Sequence, residues 1–104
     1  MLVCQWHLEV PFGKRGEALR VMAAWGKDKF EHSEFRKAKG GRVMVGEVGA
    51  SASHIVDEYW FDSLADFERA LADMSHERFR KHADALAPYV VPGSQCWTIY
   101  RVIE

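Results

Sequence analysis

The chain has 104 residues, 48% of them apolar, and its 14 basic and 15 acidic side chains leave a formal net charge of −1. That suits one compact domain over residues 1–104 and excludes two separate hydrophobic cores. Charge so evenly balanced speaks against the concentrated positive face of a nucleic-acid binder, and no apolar run nears the roughly 20 residues of a membrane span, so neither nucleic acid nor membrane is an expected partner.

Residues 2–10 alternate cleanly, with Leu2, Cys4, Trp6, Leu8 and Val10 on one face and Val3, Gln5, His7 and Glu9 on the other, the pattern of a half-buried strand. Gln5, His7 and Glu9 would also interrupt the apolar stretch of an export signal, which makes the cytosol the expected compartment. Pro11, Gly13 and Gly16 mark a turn. Leu19, Met22, Ala23, Gly26 and Phe30 then recur at helical spacing and predict a helix over about 15–35, ended by the KAKGG run at 37–41. Trp25, Lys27 and Lys29 fall on that helix and read as part of a packed surface helix, since Glu31 and Glu34 follow at once.

RVMVGEV at 42–48 and HIVDEYWF at 54–61 are β-rich runs joined by small residues, a hairpin. Ser63 followed by Asp66 resembles a capping box, and Leu64, Phe67, Leu71 and Met74 give the stripe of a second helix, restarting near Ser75 and continuing through Phe79, Ala83, Leu86 and Val90. QCWTIYRVI at 95–103 is a last strand. Its two faces are ambiguous: Trp97, Ile99 and Arg101 alternate with Cys96, Tyr100 and Val102.

The order β-α-β-β-α-β is the split βαβ, ferredoxin-like arrangement: an antiparallel four-stranded sheet in spatial order 4-1-3-2 with both helices on one face. The other face is left for solvent or a partner. Matching apolar sets between the first and third strands pairs Cys4 with Phe61, Trp6 with Tyr59 and Val10 with Ile55. The same register sets His7 opposite Glu58, Gln5 opposite Trp60 and Glu9 opposite Val56 on the open face. A slip of two residues would keep the faces and change the partners.

DEYWFDSLADFERAL (57–71), a strand ending in Glu-x-Trp that runs straight into a Ser-Leu-x-x-Phe helix start, and FRKHADALAPYV (79–90) resemble the dimeric α/β-barrel superfamily of ferredoxin-like domains. That superfamily includes antibiotic-biosynthesis-monooxygenase-like, NIPSNAP-like and EthD-like proteins. The resemblance covers essentially the whole chain and implies a homodimer in which two sheets pack face to face into a barrel. Among the activities it implies are cofactor-free oxygenation, lactone isomerisation and haem degradation. Many monooxygenase-like members carry a His in the second helix where Arg69 stands here.

A His7–Glu58 pair in a partly dry cavity is a candidate acid/base unit for enolisable or phenolic ligands, because the carboxylate would orient the ring and favour the imidazolium. Gln5, Trp60, Trp97, Tyr100 and Arg101 are the candidate ligand-binding residues, with the aromatics as a wall for a flat molecule. The competing reading is a self-satisfied polar pair and a non-catalytic binding or assembly module. Haem through His76 or His82 is a weaker alternative, and no cofactor is expected. No metal is expected either, since His7, Glu9 and Glu58 form only a loose set. Cys4 and Cys96 lack metal-ligand spacing and read as free thiols, about 15 Å apart if Trp6 lies near Ile99.

Overall fold

The computed structural model describes all 104 residues, Met1–Glu104. The strands are β1 (Leu2–Glu9), β2 (Gly40–Val45), β3 (His54–Phe61) and β4 (Cys96–Arg101); the helices are α1 (Arg15–His32), α2 (Leu64–Asp73) and α3 (Glu77–Leu86), with 3-10 turns at Glu34–Lys37 and Ala87–Tyr89. They form one antiparallel sheet in the order β2-β3-β1-β4, the expected ferredoxin-like topology. The second helical segment is two helices rather than one, broken by a turn at Met74–His76. No helix is long and apolar enough to cross a membrane.

Local chemistry explains most of the boundaries. Ser33 ends α1 because its backbone is extended and its hydroxyl donates to the Lys29 carbonyl, so the helix stops short of residue 35 and a 3-10 turn takes over. At the start of α2 the Ser63 hydroxyl accepts from the Asp66 N–H, half of the expected capping box; the Asp66 carboxylate pairs instead with Arg69 one turn on. β2 begins and ends earlier than expected, at residues 40 and 45. Gly40 is required there, since a Cβ would come within 2.5 Å of the Trp60 ring, which lies across it.

Two registers differ from expectation by two residues. In β1–β3, Cys4 faces Tyr59, Gln5 faces Glu58, Trp6 faces Asp57 and Leu8 faces Ile55. Only in this register do the two eight-residue strands overlap along their full length; the expected one leaves Leu2 and Val3 beyond Phe61 without partners. In β1–β4, Trp6 faces Trp97 rather than Ile99, and the two indoles stack with centroids 6.2 Å apart. Cys4 therefore faces Ile99 and Cys96 faces His7, on opposite sides of the sheet, and both thiols are free. Burial pushes the Cys4 thiol up to about 11 and keeps it protonated.

The core lies between the sheet and the helices in two adjoining clusters. One gathers Trp6, Leu8, Met22, Trp25, Ile55, Phe79 and Leu86; the other gathers Leu2, Cys4, Phe35, Tyr59, Phe61 and Phe67. Met74 and Trp97 pack against both. The buried stripe of α1 is Ala18, Met22, Trp25 and Lys29, whereas Ala23 and Phe30 are exposed. The helix is thus rotated by about one residue from the face its apolar spacing suggests, and a lysine enters the core.

Candidate functional site

On the open face, alternation and register stack the side chains in rows across the sheet: Arg42, Glu58, Gln5 and Thr98 in one, Met44, Val56, His7 and Cys96 in the next. Glu58 is 1% exposed and receives Gln5 Nε2 at 2.8 Å, Arg42 Nε at 2.9 Å and Trp60 Nε1 at 2.7 Å. Burial alone would raise its carboxyl; the hydrogen bonds from Gln5 and Trp60 and the Arg42 guanidinium outweigh that and hold it below the usual range.

His7 and Glu58 do not form the expected pair. The two-residue register shift puts Gln5 opposite Glu58, and His7 bonds instead to His54 (Nδ1 to Nε2, 2.9 Å) and Thr98 (Nε2 to Oγ1, 2.8 Å). His54 Nδ1 meets Glu9 Oε1 at 2.8 Å, and the Ser53 hydroxyl donates to Glu9 Oε2 at 2.7 Å. Thr98 Oγ1 reaches Gln5 Oε1 at 3.3 Å, so one network links Glu9 to Glu58. A nitrogen–nitrogen contact of this length needs a proton on one ring and a lone pair on the other. Every bond is made when His54 donates from both nitrogens, to Glu9 and to a neutral His7, which donates to Thr98, which donates to Gln5. Desolvation, then the neighbouring His54 charge, lowers the His7 pKa, in keeping with a neutral ring.

The other sequence candidates divide between faces. Trp60 and Gln5 lie on the open face, as does Tyr100, which sits opposite Val3 and is exposed. Trp97 faces the helices, stacked on Trp6 and edge-on to Phe67, and Arg101, two residues along, shares its side of the strand. The proposed aromatic wall of Trp60, Trp97 and Tyr100 is therefore not assembled. His82 is held by Asp28 at 3.0 Å and stacks on Trp25, and His76 is the exposed residue before α3.

The helix side holds a site that the sequence reading passed over. Lys29 is 3% exposed, and its Nζ lies 3.6 Å from Asp57 Oδ2, which also accepts the Tyr59 hydroxyl at 2.7 Å. Four rings surround the ammonium: Tyr59 at 4.8 Å, Trp25 at 4.9 Å, Phe35 at 5.0 Å and Trp6 at 5.9 Å from their centroids. These rings come from both core clusters, so Lys29 stands at the seam between them. A cleft of about 170 Å³ opens at that seam, walled by Trp6, Trp25, Phe35, Met74 and Trp97, with Lys29 in its lining. Burial pushes the Lys29 amine down, against the attraction of Asp57; burial likewise pushes the Asp57 carboxyl up, against Lys29 and the Tyr59 hydrogen bond. The Tyr59 phenol is raised by burial and by Asp57. Two out-of-pattern charges were the available signal. Asp57 breaks the apolar alternation Ile55, Tyr59, Phe61, and Lys29 continues the Met22, Trp25 spacing; opposite charges on two inward faces point to one pair.

No family model matches the chain, and no curated protein matches it in sequence. Solved structures do match. A protein from Caulobacter crescentus, provisionally named an antibiotic biosynthesis monooxygenase, superposes with a TM-score of 0.76 at 11% identity, covering 99% of this chain and 90% of its own. A NIPSNAP family protein from Agrobacterium tumefaciens gives 0.72 at 19% identity, covering 96% and 90%. A NIPSNAP domain protein from Burkholderia xenovorans gives 0.74 at 13%, covering 98% and 94%. At these identities the likeness concerns the backbone, and the chain has the ferredoxin-like fold that the antibiotic-biosynthesis-monooxygenase-like and NIPSNAP structures share.

Proposed function

We propose that this protein binds a small apolar or aromatic molecule in the cleft at the core seam and acts on it by cofactor-independent, monooxygenase-like or isomerase-like chemistry, as a homodimer. The observation that carries the reading is the cleft itself: aromatic walls with buried Lys29 in the lining, its ammonium paired with Asp57 outside the cleft. A dry cavity of about 150 Å³ holds benzene in another protein, so about 170 Å³ suits one ring with a small substituent. An enolisable or phenolic ring seated there would meet Lys29 Nζ, whose proton Asp57 is placed to receive.

Dimerisation is supported by the uncovered sheet face, where Val3, Met44, Val56 and Trp60 are only partly exposed yet have no helix over them. Burying it would remove on the order of 800 Å² per protomer. Free thiols at Cys4 and Cys96 favour the cytosol as compartment. We assign His7 and Glu58, together with Gln5 and Trp60, to the dimer-facing network rather than to the reaction, because their polar atoms are engaged with one another and lie across the sheet from the cleft. That engagement is also what favours the second reading, a binding or assembly module without turnover.

The test is titration with a non-reactive ring such as benzyl alcohol, followed by tryptophan fluorescence, with sedimentation run in parallel. Saturable quenching that is lost when Met74→Trp fills the cleft, in a dimer, is the expected result. Oxygen uptake or isomer formation with a panel of phenols and lactones then separates enzyme from binder. No quenching at millimolar ring, or a monomer at micromolar concentration, overturns the reading.

A further inference from the structure

We infer that Lys29, which lines the cleft and whose Nζ lies 3.6 Å from Asp57, is a carbonyl-capturing amine that takes a one-ring aldehyde as an imine. The inference rests on the cleft's being the ligand site and adds a covalent activity to it. A lysine is a costly way to fill this position: taking an ammonium and a carboxylate out of water together is often no better than packing hydrocarbon there, and an apolar residue such as Met would continue the α1 stripe of Ala18, Met22 and Trp25. What hydrocarbon lacks is a nucleophilic lone pair in an aromatic-walled cleft.

The surroundings suit that chemistry. β3 turns two titratable groups, Asp57 and Tyr59, toward Lys29, joined by their own hydrogen bond. Around the rest of the cleft stand Leu71 of α2 and Met74 at its end, Gln95 just before β4 and Trp97 on β4, and no second cation; His82 of α3 stacks on Trp25 and is held by Asp28. At neutral pH an ordinary lysine is free amine in only about one molecule in 10³. Burial shifts Lys29 toward the free amine, and Asp57 is the base that takes its proton.

The step balances without an oxidant or reductant. The ammonium passes one proton to Asp57, and the freed lone pair attacks the aldehyde carbon. The carbonyl oxygen takes the proton back from Asp57 as the carbinolamine forms. That hydroxyl then leaves as water with a second proton from nitrogen, relayed through Asp57, and a C=N bond replaces C=O. An imine in this position conjugates with the ligand's ring, which stabilises the adduct.

The experiment is a competition within one molecule. The intact protein, with its six lysines, is treated at pH 7 with benzaldehyde and cyanoborohydride, which traps an imine as a secondary amine, and the adduct is located by peptide mass spectrometry. Accessibility alone ranks the buried Lys29 last. The inference ranks it first, by about tenfold or more over any surface lysine, with labelling slowed by benzyl alcohol. Lys29→Arg should lose this adduct while leaving the slow surface labelling intact. Surface lysines labelled ahead of Lys29, while benzyl alcohol still quenches tryptophan, would sink the inference and leave the cleft as a ligand site. Neither quenching nor Lys29 labelling would sink both.

Discussion

Asp57 and Glu58 are consecutive residues of one strand, both nearly inaccessible, and their carboxyls are driven in opposite directions. Alternation along β3 sends Asp57 toward the helices and Glu58 toward the open face. Asp57 receives one hydrogen bond, from Tyr59, and a lysine just beyond hydrogen-bond length, and desolvation prevails. Glu58 receives three donors, one of them the Arg42 guanidinium, whose side chain is 60% exposed and hydrated on its outer side, and the donors prevail. Burial by itself does not set a carboxyl's proton affinity; the number of donors it can recruit does. A carboxylate held by three donors is structural, whereas one with a single hydrogen-bond donor beside a buried amine can exchange protons with it.

The largest effect expected from this contrast is at Asp57. Asp57→Ala strands the Lys29 ammonium among aromatic rings and should lower stability by about 3–5 kcal/mol, read by urea unfolding. The double change Lys29→Met with Asp57→Leu should recover most of that loss. If Asp57→Ala is nearly neutral, the pair is not charged in the folded protein, and the contrast with Glu58 collapses.

Glu58→Gln should cost less, roughly 1–3 kcal/mol, because the amide keeps one acceptor but turns an NH₂ toward donors. Its pH signature is sharper than its magnitude. The folded pKa of Glu58 lies below its ordinary 4.5, so its contribution is complete above that value and is lost as pH falls through the folded pKa. Asp57 has the opposite sign: its folded pKa lies above 3.8, so its contribution is present in acid and declines as pH rises through the folded value. Glu58→Gln should therefore flatten the acid limb of the stability curve, and an unchanged acid limb would contradict the assignment.

The smallest effect lies at His7, whose neighbours across the strands are His54 and Val56 on β3 and Cys96 and Thr98 on β4, with Gln5 and Glu9 on its own strand face. Its folded pKa is below 6.5, so what it contributes is complete above that pH and is lost on acidification, when a second protonated ring leaves no lone pair for the contact with His54. Ring NMR should show His7 titrating below 6.5, and His7→Gln should leave the folded protein intact while removing this step. Titration of His7 above 6.5 would reverse the donor order drawn across the open face.

The amino-acid sequence by itself determined which residues of each long strand share a face, where α2 is capped and in what order the strands lie. Period-two alternation, the Ser63 hydroxyl and the short connections are local facts, written in adjacent residues. Alternation sets parity but not translation, so both registers came out two residues away from the apolar match, and with them the His7–Glu58 pairing; full overlap of two eight-residue strands and the Trp6–Trp97 stack chose the actual partners. The phase of α1 was hidden for a related reason. A stripe sought among apolar residues skips Lys29, and a lysine becomes a core residue only when another element supplies its counter-charge. That element is β3, 28 residues further along the chain, and only the packed tertiary structure brings Asp57 beneath it.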